Sequence, residues 1–127
     1  MELGIDRVRD KHFKAQASLE QGGLLIELRG TADIPARESL QKLLSQAQGA
    51  VEKHKVSKVT VDLCEVEFMN SSCFKDFVSW INATQDDDGQ PRYQIHFLSS
   101  PDMHWQKRSL HALRSFAPDV VSIEVVS

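Results

Sequence analysis

The side chains with most chemistry to offer stand together at Asn70-Ser71-Ser72-Cys73, where two hydroxyls and a thiol end an alternating apolar run and open a helical one. A serine or cysteine acts as a nucleophile only beside a base that takes its proton, and the Gly-x-Ser-x-Gly turn that presents such a serine occurs nowhere in the chain. The same short polar side chains also cap helices: Asn70 or Ser71 can accept from the free N–H groups of a first helical turn. The five histidines (His12, His54, His96, His104, His111) show no ligand spacing, and neither Cys-x-x-Cys nor His-x-x-x-His is present, so no metal site is expected. Asp86-Asp87-Asp88 lacks the alternating acids and closing Glu of a calcium loop and reads as a solvated turn. No glycine-rich phosphate cradle appears, so no nucleotide or other cofactor is expected, and the chain reads as a non-enzyme.

Two further groups could meet a partner. His104-Trp105-Gln106-Lys107-Arg108, with His111 and Arg114, makes a basic segment carrying one aromatic, suited to an acidic or phosphorylated surface or simply to water. Trp80 lies just off the apolar stripe of its helix, where it serves either as an interface residue or as the edge of the core.

Alternation and helical periodicity give the elements that must position these groups. A strand around Phe13 to Leu19 and a second with Leu24, Ile26 and Leu28 on one face flank Gln21-Gly22-Gly23, the composition of a hairpin turn. From Pro35, Leu40, Leu43, Leu44, Ala47, Ala50 and Val51 follow the i, i+3, i+4, i+7 rule of an amphipathic helix about five turns long. Val59, Val61 and Leu63 return to period two, and Val66 and Phe68 extend the apolar signal. Phe74, Phe77, Val78 and Ile81 then predict a second helical stripe. After a loop at Asp86-Asp87-Asp88-Gly89-Gln90-Pro91 come a strand with Tyr93, Ile95 and Phe97, a weaker helix within Met103 to Phe116, and a last strand with Val121, Ile123 and Val125. The order is β-β-α-β-α-β-α-β, an α/β fold with a single mixed β-sheet and helices packed on it.

With 127 residues, 41% hydrophobic and 26% charged, the chain has the length and composition of one globular domain, 1–127, with residues 1–12 as an N-terminal extension. Apolar runs reach only about three residues, as at Leu24-Leu25-Ile26, and the mixed-charge amino terminus lacks a secretory core, so a cytoplasmic protein without a membrane span is expected. A reducing compartment favours free thiols at Cys64 and Cys73. A net charge of −3 argues against nucleic-acid binding through bulk positive charge.

The stretch Val59-Thr60-Val61-Asp62-Leu63, followed by Phe68-Met69-Asn70-Ser71-Ser72 at a helix start, resembles the signature of STAS domains (sulfate transporter and anti-sigma-factor antagonist). Gly30-Thr31-Ala32-Asp33 matches the family's Gly-x-x-Asp turn, and with the element order the resemblance covers about Phe13 to Val126. Asn70 stands where the commonest form has Asp, and Cys73 where it has Gly, which would add bulk on the helix surface. The resemblance implies a partner-switching bacterial regulator rather than a catalyst. By its motif Ser71, or alternatively Ser72, is the phosphorylation site, and Asp33, Asn70, Ser71, Ser72, Cys73, Lys75, Asp76 and Trp80 form the partner-binding surface. The implied partners are an anti-sigma-type serine kinase and a PP2C-type phosphatase, with homodimerisation left open. A phosphate adds about −1.5 to −2 charges, which a helix N-terminus tolerates. Two other readings stand beside the switch: a constitutive scaffold or oligomerisation module, and a STAS domain that senses a small ligand.

Overall fold

The computed structural model describes residues 8–9, 13–20, 23–84 and 93–126. Its elements are strands β1 (Val8–Arg9), β2 (Phe13–Glu20) and β3 (Gly23–Ala32), helix α1 (Arg37–His54), strand β4 (Lys58–Met69), helix α2 (Ser71–Ala83), strand β5 (Gln94–Ser99), helix α3 (His104–Phe116) and strand β6 (Val121–Val125). The expected order is present, preceded by the two-residue β1 within the stretch read as an extension. All six strands form one sheet in chain order. β1, β2 and β3 pair antiparallel, and β3 to β6 pair parallel, so a hairpin sheet and a crossover sheet share β3. Residues 21–22 of the expected hairpin turn, and the whole loop 86–91, lie outside the described residues; the strands beside the first pair Glu20 with Gly23.

Local sequence explains where α1 begins. Asp33 accepts from the Ala36 N–H through its side chain (3.3 Å) and its carbonyl (3.1 Å), closing a single 3-10 turn, Ile34–Ala36, that leads into the helix. Gly30 has φ 93, a conformation that a side chain would strain, which gives the Gly-x-x-Asp turn its glycine. All six apolar positions read for α1 are buried.

One hydrophobic core joins helices and sheet. Leu24, Ile26, Leu28, Val59, Val61, Ile95 and Phe97 are buried beneath the helices, whereas the alternate residues Leu25, Glu27, Thr60, Asp62 and His96 are only partly covered. That second face carries a polar ladder. Gln16 donates to Glu27 (3.2 Å), Arg29 pairs with Glu65 (2.8 Å), and His96 lies between Ser122 (2.6 Å) and Glu124 (3.3 Å) on the neighbouring strand.

β4 outruns its neighbour. Its parallel pairing with β5 ends at Asp62–Leu98, while against β3 it continues to Met69 through two register shifts. Beyond Asp62 its carbonyls on the β5 side therefore need other partners. Gln106 of α3, fully buried, supplies them: its Nε2 donates to the Leu63 and Val66 carbonyls, and its Oε1 accepts from the Ser100 N–H (2.9 Å). Trp105 adds a second donor to the Val66 carbonyl (3.1 Å).

Candidate functional site

The strand-to-helix turn that carries the sequence motif is fixed by three hydrogen bonds of Asn70. The Asn70 N–H donates to the Ala32 carbonyl (2.7 Å), which ties the end of β4 to the end of β3. Asn70 is extended (φ −64, ψ 147) and is the N-cap of α2: its Oδ1 accepts from the Ser72 N–H (2.8 Å), while its carbonyl accepts from the Phe74 N–H (3.0 Å). Ser71 is thus the first helical residue, and its side chain is exposed. No acidic residue occupies the first turn of α2, so the partial positive charge of that helix end is not cancelled locally. Lys75 lies one turn on at i+4 from Ser71, also exposed.

The surface around Ser71 includes two apolar side chains that periodicity did not single out as exposed. Ile34 (65% exposed) follows Asp33, and Phe68 (50% exposed) precedes Asn70 by two residues. The register Thr31–Phe68 and Ala32–Met69 brings both to the same end of the sheet as Ser71. In the sequence Phe68 prolongs an alternating run and opens the Phe68-Met69-Asn70-Ser71-Ser72 motif. What reverses its facing is the register shift between Gly30 and Thr31, which composition does not reveal.

Three residues read as partner-binding sit elsewhere. The inward face of α2 consists of Cys73, Asp76, Phe77, Trp80 and Ile81, with Phe74 and Val78 only partly buried, so the true stripe is rotated from the expected one. Cys73 is fully buried and its thiol donates to the Asp33 carbonyl (3.4 Å), placing the extra bulk inside the domain rather than on its surface. Trp80 (3% exposed) takes the core-edge role. Its Nε1 donates to the Tyr93 hydroxyl (2.8 Å), and its ring packs at 6.2 Å from that of Phe77. Asp76 (8% exposed) is drawn inward by α1, where Arg37 (Nε–Oδ2 3.2 Å) and Gln41 (Nε2–Oδ1 3.0 Å) satisfy its carboxylate. Asp33, Asn70 and Ser72 are part-buried at the turn, and with exposed Ser71 and Lys75 they make up the accessible part of the expected surface.

Both cysteines are free thiols. Burial, aided by the Asp62 carboxylate, pushes the Cys64 thiol from 9.0 up to about 11. Burial likewise raises Cys73, with Asp76 adding to the effect and Arg37 opposing it. Because the thiolate is the nucleophile, and a thiolate of higher pKa is intrinsically more reactive, alkylation of Cys64 by iodoacetamide at pH 8 should run about 10-fold slower in the native protein than after unfolding. The fold favours the protonated thiol, so the stabilisation it provides is present below pH 9.0 and is lost as pH climbs through about 11. Mass-spectrometric labelling across that range checks both, and equal rates in native and unfolded protein would contradict them.

Of the long side chains of the basic segment, Lys107, Arg108 and Arg114 are exposed, as are His104 and His111, whereas Trp105 and Gln106 turn inward to β4. Among the described residues no helix is long and apolar enough to cross a membrane.

No family model and no curated protein matches the chain. Among solved structures it is similar to an anti-sigma factor antagonist from Mycobacterium paratuberculosis, at 18% sequence identity and a TM-score of 0.60, covering 84% of this chain and 83% of the other. The fold expected from the Asp-Leu strand and the Asn-Ser-Ser helix start is thus the fold observed: a mixed α/β sheet with the architecture of an anti-sigma factor antagonist.

Proposed function

We propose that residues 1–127 form one cytoplasmic, non-enzymatic regulatory domain of the STAS type, which works by switching protein partners through reversible phosphorylation of Ser71. The observation that carries this reading is the placement of Ser71: exposed, first in α2, and at the same end of the sheet as the exposed Ile34 and Phe68. The apolar pair gives a partner area to bury, and the serine gives a charge switch at the same end of the sheet. A phosphate there gains from the helix dipole and from Lys75, so it changes the surface without opposing the fold. Buried Cys73, Asp76 and Trp80 support the surface from beneath. The likeness to an anti-sigma factor antagonist supports an anti-sigma-type serine kinase as the partner, with a PP2C-type phosphatase restoring the unmodified form.

Incubation with such a kinase and ATP, followed by peptide mapping, is expected to place the phosphate on Ser71. Ser71→Asp should weaken the complex about 10-fold or more, because a carboxylate introduced into the contact must be desolvated, whereas Ser71→Ala should bind as the unmodified protein does. Phosphate found only at other residues would overturn the assignment. Equal binding by the two variants would favour a constitutive scaffold.

A further inference from the structure

The carboxyl ends of β5 and β6 and the first half of α3 enclose a cavity of about 390 Å3, whose lining does not include Ser71. Its position is the one at which open parallel sheets place ligands, outside the carboxyl ends of the strands, and its volume lies within the range of small-molecule pockets. The two sides of the cavity differ in chemistry. On the helix side His104, Lys107 and His111 recur at i, i+3 and i+7, which sets them along one face of α3. On the sheet side Ile123 and Val125, with Met103 at the helix entrance, present aliphatic surface, and Val125 is 62% exposed. Among the described residues no acidic side chain lines the cavity, although the whole chain carries a net charge of −3. Met103, the N-cap of α3, forms no side-chain cap bond, so the positive end of a 13-residue helix is left without a side-chain acceptor beside the cavity.

A lysine flanked by two imidazoles on one wall and exposed aliphatic groups on the other are both satisfied by one kind of molecule. We propose that this cavity binds a small amphipathic carboxylate, its head on Lys107 between His104 and His111 and its hydrocarbon part against Met103, Ile123 and Val125. The aliphatic wall is what separates this ligand from inorganic phosphate or acetate, which would leave Val125 in water. The Lys107 ammonium separates it from a neutral alcohol. The proposal is independent of phosphorylation at Ser71.

Octanoate is a suitable probe on the intact chain, followed by calorimetry and by amide chemical shifts. Octanoate is expected to shift the amides of α3 and β6 in a saturable manner, with octanol binding at least about 5-fold more weakly and acetate not detectably. Lys107→Ala, a change at an exposed position, should weaken octanoate about 5-fold while leaving the circular dichroism spectrum unchanged. Val125→Asp should abolish binding by charging the aliphatic wall. Absent or non-saturable binding, shifts confined to other parts of the sheet, or equal affinity for octanoate and octanol would each overturn the proposal.

Discussion

Gln106→Leu is expected to lower the melting temperature by about 10 °C, although leucine matches glutamine in size and suits a buried helix position. The native amide is fully buried and has three backbone partners: the carbonyls of Leu63 and Val66 and the N–H of Ser100. Val66 retains the Trp105 donor in the variant, but the Leu63 carbonyl and the Ser100 N–H lose their partner in a region that leucine keeps dry. Each orphaned buried group costs roughly 1–3 kcal/mol, so a loss of about 3 kcal/mol follows, set against a small gain from the added apolar surface. The damage should also be local. Gln106 takes the place of the missing strand beside the last third of β4, so amide exchange at residues 64–70, the segment that delivers Ser71, should accelerate more than exchange in β3. A drop below about 3 °C would mean that the freed groups reach water, and that the end of β4 is held by its pairing with β3 alone.

Much of this architecture is legible in the chain because its elements are amphipathic on one period each. In α1 the six apolar positions at i, i+3, i+4 and i+7 are the six that are buried, since a one-sided helix on a sheet has a single way to hide its stripe. The motif at Asn70 is legible for a related reason: capping is a local interaction, and Asn70 reaches the Ser72 N–H without help from distant residues. What fails is whatever depends on a partner far away in sequence. Asp76 reads as a surface carboxylate until Arg37 and Gln41, on another helix, are known to face it. Once Asp76 turns inward, Cys73 and Trp80 turn with it, and the stripe of α2 shifts off Phe74 and Val78. Gln106 was equally hidden in a segment that looked basic and wet, because its role is set by where the β4–β5 pairing stops. Phe68 is exposed for the complementary reason, a register shift against β3 that no local pattern encodes.

Phe77→Ala should be as damaging, and it tests how firmly α2 is seated under the site. The ring is 1% exposed and packs edge-to-face on Phe97 (5.9 Å, 73°) and at a tilt on Trp80 (6.2 Å, 53°), so it joins the helix to the centre of the sheet. Its removal leaves a cavity walled by rigid strands that cannot collapse inward, which places the cost in the upper part of the usual range for large-to-small changes, about 4 kcal/mol. Unfolding in urea should show the midpoint falling in proportion with the slope unchanged, since the same surface is exposed on unfolding. Phe77→Leu keeps much of the volume and forfeits only the ring-to-ring geometry, so it should cost less than half as much. If leucine proved as costly as alanine, the aromatic triad rather than filled volume would be what seats α2. If alanine cost under about 1 kcal/mol, the helix would be held by its polar ties, Asp76 to Arg37 and Gln41, and by the Trp80–Tyr93 hydrogen bond, with the ring a passenger. The presentation of Ser71 would then rest on α1, and changes at Arg37 rather than in the core would disturb the site.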